Sequence, residues 1–142
     1  MLISPYEIVS KSALPALRAM VARRLQANYH MTQQEVAKRL GVTQASVSNY
    51  ARRTRGMMVN LEGDVVVTNA ADKIAKELSV GTPDQREVLT AMTKVLDYIR
   101  FNHMMCGLHG DLEPGFQVEG CTACDGSLAA KDFDKLRVLA SS

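Results

Sequence analysis

The chain has 142 residues, 46% of them apolar and 5% aromatic, with no Trp and a formal net charge of +2. That is enough material for one aliphatic core, a composition that suits helices better than a β-sandwich. The near-neutral balance excludes recognition of nucleic acid by bulk charge, so any such signal must be local.

Leu14, Leu17, Val21 and Leu25 recur at helical spacing and predict a first helix that begins near Ser10 to Leu14 and runs to Tyr29. Pro15 suits its first turn, and Arg18, Arg23 and Arg24 give it a basic, solvated side. Asn28 to Met31 reads as a turn. Thr32, three residues before Glu35, forms a capping-box pattern for a second helix through Leu40. Gly41-Val42 breaks that helix, Thr43 caps a third one to about Arg53, and Gly56 stops it.

Met57-Met58-Val59 and Val65-Val66-Val67 are two β-prone runs around a turn at Leu61 to Asp64, which predicts a small β-hairpin or wing over 57–67. Thr68 or Asn69 can cap a helix through Leu78. After Gly81-Thr82-Pro83, Thr82 can cap a longer helix from Pro83 to Met105. Its wide apolar face carries Val88, Leu89, Met92, Val95, Leu96, Tyr98 and Ile99. A Gly-rich segment with all the cysteines follows, then a short helix over Leu128 to Leu139. The expected fold is mainly α, in three parts. Residues 1–56 form a helix-turn-helix DNA-binding domain, 57–105 a connecting and dimerisation region with the long helix, and 106–142 a Cys-rich metal-binding segment with its C-terminal helix.

The helix-turn-helix expectation rests on Gln33 to Tyr50. Two short helices that cross steeply need a small residue at closest approach, a residue tolerant of positive φ at the turn, and an aliphatic residue pointing back inward. Ala37, Gly41 and Val47 stand at those places, with Val36, Leu40, Val42 and Tyr50 at the other inward positions. The outward face of the third helix then presents Thr43, Gln44, Ala45, Ser48, Asn49 and Arg52. Amides can pair with adenine, small methyls can touch thymine, and no carboxylate repels phosphate. Gln44, Ser48 and Asn49 are assigned to bases, and Thr43, Arg52, Arg53 and Arg55 to phosphates, with Lys38 and Arg39 extending the basic patch. The plainer alternative is a packed helical hairpin with a solvated face.

Extended backward to Pro5-Tyr-Glu-Ile-Val and Leu14-Pro15-Ala-Leu-Arg18, and forward to Arg55-Gly56, this stretch resembles the small archaeal XRE-type transcriptional regulators. The resemblance covers residues 3 to 56. It implies a helical fold, binding of double-stranded DNA through the Thr43-to-Arg53 helix, and a homodimer. The β-prone run after Gly56 departs from that all-helical pattern.

The second motif is Cys106-Gly-Leu-His109, then eleven residues, then Cys121-Thr-Ala-Cys124. Paired ligands two residues apart can grip one ion, and two such pairs supply a tetrahedral site, so Cys106, Cys121, Cys124 and His109 are candidate metal ligands. Soft thiolates suit Zn²⁺ or an iron–sulfur cluster, the first a structural staple and the second a redox sensor. His103, three residues before Cys106, is the alternative fourth ligand, with Asp111 and Asp125 behind it. The odd, clustered cysteine count argues against a secreted disulfide scaffold.

Met1 to Pro5 has no leader pattern, and no window approaches the roughly 18 apolar residues of a bilayer span, so the expected location is the cytoplasm, without membrane contact. No Ser-His-Asp set, phosphate-cradling Gly loop or paired carboxylates point to an enzyme. The expected function is sequence-specific DNA binding in transcription regulation. The alternative is a helix-turn-helix interaction module that recruits the transcription machinery.

Overall fold

The computed structural model describes residues 2–52 and 61–125, and every element among them is helical. The mainly α fold expected from composition is therefore what forms. The chain enters helix earlier than its apolar period indicates. The Ser4 hydroxyl accepts from the Tyr6 N–H and caps α1 (Pro5–Ile8), with Pro5 in the first turn. A π-helical turn, Val9–Ala13, joins α1 to α2 (Leu14–Tyr29) without a break. Pro15 has no N–H and its ring crowds the carbonyl four residues back, so a wider turn just before it relieves that crowding. The extra residue in that turn rotates the buried face, which is why the spacing from Leu14 onward does not extend back to Pro5.

α2 is the centre of the core. Ala16, Leu17, Ala19, Met20, Val21, Ala22 and Leu25 are all buried, so the helix is covered on most of its circumference. Arg23 and Arg24 correct the expectation of a solvated basic side. Both are half-buried and ion-paired: Arg23 to Glu62 at 3.0 Å, Arg24 to Glu62 at 3.3 Å and to Asp72. The Arg24 guanidinium hydrogen-bonded to Glu62 holds that carboxylate below its ordinary value near 4.5, against partial burial and with Arg23 helping. A depressed carboxylate contributes stability that is present above its unfolded pKa and is lost as pH falls through the folded value. Acid denaturation followed from about pH 6 to about pH 3 should therefore show the wild-type protein losing stability faster than Glu62→Gln. Overlaid curves would refute this.

The wing expectation is corrected where it can be tested. Met57 to Val59 lie outside the described residues, but Val65 to Val67 open a helix, α5 (Val65–Ser79). The Asp64 carboxylate accepts from the Val67 N–H at 3.0 Å, and this N-cap overrides the β-propensity of three valines. Val65 and Val66 stay 71% and 47% exposed. Val67 is fully buried and starts the inward series Ala71, Ile74, Ala75 and Leu78, which faces α2. Asp64, not Thr68 or Asn69, sets the start.

Asp84 likewise replaces Thr82 as the cap of α6 (Gln85–Phe101), accepting from the Arg86 and Glu87 N–H groups. The α6 face with Val88, Val95 and Ile99 is buried within the chain, against α5, and the Tyr98 hydroxyl donates to Asp64 at 3.1 Å. Leu89 is left 63% exposed. α6 ends four residues short of Met105, because His103 adopts φ +58°, the left-handed geometry of a helix C-terminus. Cys106–Leu112 then forms α7. One continuous core runs from Ile8 to Met105. Among the described residues no helix is long and apolar enough to cross a membrane. The expected C-terminal helix at Leu128 to Leu139 lies outside the described residues.

Candidate functional site

α3 (Gln33–Leu40) and α4 (Gln44–Arg52) form the helix-turn-helix. The Thr32 hydroxyl accepts from the Glu35 N–H at 3.2 Å, as the capping pattern predicts. Gly41 takes φ +69°, and the Val42 N–H donates to the Ala37 carbonyl at 3.0 Å, which folds the chain back at once. A side chain at position 41 would be strained there, whereas glycine is not. The Thr43 hydroxyl accepts from the Ser46 N–H at 3.1 Å and starts α4. Val36, Ala37 and Val47 are buried where the two helices meet, and Leu40, Val42 and Tyr50 pack at the margin of the same core. Every inward side chain read from the sequence thus reaches that core.

The complementary face is open. Thr43, Gln44 and Ala45 are exposed, and Ser48 and Asn49 are partly exposed on α4. No described residue of α4 carries a carboxylate. Arg52 closes α4, while Arg53 and Arg55 lie outside the described residues. Lys38 is exposed on α3. Arg39 is tied elsewhere: it donates to the Val80 carbonyl at 2.6 Å and so links α3 to the turn between α5 and α6. Sequence carried no signal for that link, since nothing local in Arg39's neighbourhood points to residue 80.

The cysteine segment is arranged differently from two symmetric turns. Cys106 and His109 lie on α7, and His109 is buried, 7% exposed. It hydrogen-bonds Glu113 at 2.9 Å and stacks on Phe116 with ring centroids 4.3 Å apart. Glu113 also accepts from the Ile3 N–H at 3.3 Å, so this pair anchors the N-terminal strap. His103, the alternative candidate, lies beside Cys106: Nδ1 is 3.4 Å from Sγ. Its other nitrogen, Nε2, is 2.9 Å from the Asp125 carboxylate.

Cys106, His103, His109 and Cys124 line one narrow cleft together with Pro5, Ile8 and Arg100. Burial pushes the Cys106 thiol up, and nearby Cys121 and Asp125 add to this. Burial also raises Cys124, with Cys106 and Cys121 adding and Arg100 opposing. Cys106 and Cys124 thus both stand within electrostatic reach of Cys121. As the side chains stand, no group of three or more His, Cys, Asp or Glu among the described residues is closed up enough to hold an ion. Asp111, the remaining candidate, is an exposed residue of α7. Arg100 carried no sequence signal for a place in this cleft. Glu113 had one, four residues beyond His109 on the same helical face.

Residues 15–74 match the ParB HTH domain family. The match runs from α2 through most of α5, so it takes in the helix-turn-helix and the two helices that pack together behind it. A ParB-type helix-turn-helix domain thus spans residues 15–74, which suggests DNA binding. No curated protein and no solved structure matches the chain.

Proposed function

We propose that this protein is a sequence-specific DNA-binding regulator of transcription that reads the major groove with α4 and acts as a homodimer. The observation that carries the reading is the α4 face. It is held by a cap, a glycine turn and three buried side chains, and it offers Gln44, Ala45, Ser48 and Asn49 outward without a carboxylate. Short amides and hydroxyls on a helix free to enter a groove are the side chains that make base-edge contacts. The XRE-type resemblance of residues 3 to 56 fits a cytoplasmic regulator of this kind. Dimerisation is supported by geometry and by one surface. A single recognition helix reads few base pairs, and Leu89 leaves a large apolar side chain exposed on α6.

Selection of bound sites from randomised duplex DNA by the full chain tests the proposal. The expected result is an enriched motif with two half-sites about one helical turn apart. Affinity for it should fall steeply with salt. Absence of any enriched sequence, together with salt-insensitive capture, would favour the protein-interaction module instead.

A further inference from the structure

We propose that Cys106, Cys121, Cys124 and His103, rather than His109, bind one Zn²⁺ ion at the junction of α6, α7 and the loop that ends at Asp125. This stands independently of the DNA-binding reading.

A tetrahedral zinc with Zn–S of about 2.3 Å and Zn–N of about 2.0 Å puts sulfur and nitrogen roughly 3.5 Å apart. Cys106 Sγ and His103 Nδ1 are 3.4 Å apart, so one ion fits both without moving the backbone of either.

Metal-bound histidines commonly pass their second ring nitrogen to a carboxylate, which orients the ring and fixes its tautomer. His103 Nε2 has Asp125 at 2.9 Å. His103 takes φ +58°, a conformation that histidine adopts more readily than most residues, and its ring lies against Cys106. His109 lines the same cleft but has no thiol among its described contacts. Its ring is packed on Phe116 and bonded to Glu113.

Gly110 lets the returning loop pass so close to α7 that a Cβ there would meet Val118 Cγ2 at 3.1 Å. The Cys121 N–H donates to Val118, and the Asp125 N–H donates to Thr122. These turns bring Cys124 into the cleft with Cys106 and His103. Binding the ion has to draw the Cys121 and Cys124 side chains inward to make a three-sulfur, one-nitrogen set, since no metal-holding group is closed up among the described residues as they stand. Zinc binding displaces the thiol protons and leaves three thiolates around the ion. Because Pro5 and Ile8 line the same cleft, the ion would pin the C-terminal loop beneath the N-terminal helix.

The test uses the full chain, stripped of metal under reducing conditions and titrated with Zn²⁺ alone and with Co²⁺ alone. One metal per chain is expected, with Co²⁺ giving sulfur charge-transfer bands and strong tetrahedral ligand-field bands. His103→Ala should weaken Zn²⁺ binding by more than the roughly 10–100-fold expected for Asp125→Asn, which removes only the outer carboxylate. His103→Cys should restore binding with altered Co²⁺ bands, and His109→Gln should leave affinity within about threefold of the parent. Circular dichroism checks that each variant is folded. Should His109→Gln be impaired while folded, and His103→Ala retain full affinity, the ligand assignment fails. A parent chain that takes up no Zn²⁺, or that is isolated anaerobically as a brown protein with iron and sulfide, overturns the zinc site itself.

Discussion

Replacing Gln44 and Asn49 together by alanine should lower affinity by about 30-fold to more than 10⁴-fold for each half-site of the selected DNA. A good bidentate side chain–base contact discriminates by about 1–3 kcal/mol, and every 1.4 kcal/mol is about tenfold in affinity. Two such contacts give about 2–6 kcal/mol. Gln44 is exposed and Asn49 partly exposed on α4, and the cap that starts the helix belongs to Thr43, so the helix should survive the change. The dependence of affinity on salt should keep its slope if, as proposed, phosphate contacts belong to other side chains. Equilibrium binding to the selected duplex across a salt series measures both quantities. Parent-like affinity for that duplex would show that α4 does not read sequence.

Leu25→Ala should cost about 3–4 kcal/mol of folding free energy, and with it roughly 10 °C of thermal midpoint. Leu25 is fully buried in α2, inside the core that supports both the helix-turn-helix and α5. Its removal loses the transfer energy of three carbons and leaves a cavity that the surrounding helices cannot easily close. The loss is a large share of the stability of an ordinary domain, so DNA binding should weaken on warming well before that of the parent. Val65→Ala is the matched control: 71% exposed, it should change stability by no more than about 0.5 kcal/mol. Urea denaturation of both variants gives the comparison, and a Leu25→Ala loss below about 1 kcal/mol would mean that α2 is not the packing centre.

The parts of this molecule that were legible in the sequence share one property: their determinants lie within a few residues of each other. Thr32, Ala37, Gly41, Thr43 and Val47 specify the helix-turn-helix by local caps, one positive φ and one close approach, and each is found in the expected role. The long apolar period of α6 is equally local. Competing local signals were harder to rank. Val65-Val66-Val67 favours a strand by propensity, yet Asp64 just before it supplies a cap, and the core contact of Val67 against α2 decides for the helix. Ser4-Pro5 is a good helix start, but a π-turn hides it from a 3.6-residue period.

The cysteine segment shows the other limit. The sequence by itself determined that three thiols and two imidazoles come from a short stretch, and it determined the helix-turn-helix and the identities on its outer face. It put His109 ahead of His103 as the fourth ligand, although both stand three residues from Cys106. Only the tertiary structure decided that His109 is consumed by Glu113 and Phe116 while His103 faces a thiol and Asp125. Nor could sequence show that Arg23 and Arg24 are spent on Glu62 and Asp72, or Arg39 on the Val80 carbonyl. The physical reason is common to all of these. A cap or a turn is an interaction between neighbours in the chain, whereas the direction of an imidazole or a guanidinium is set by partners that arrive from distant helices once the core has closed.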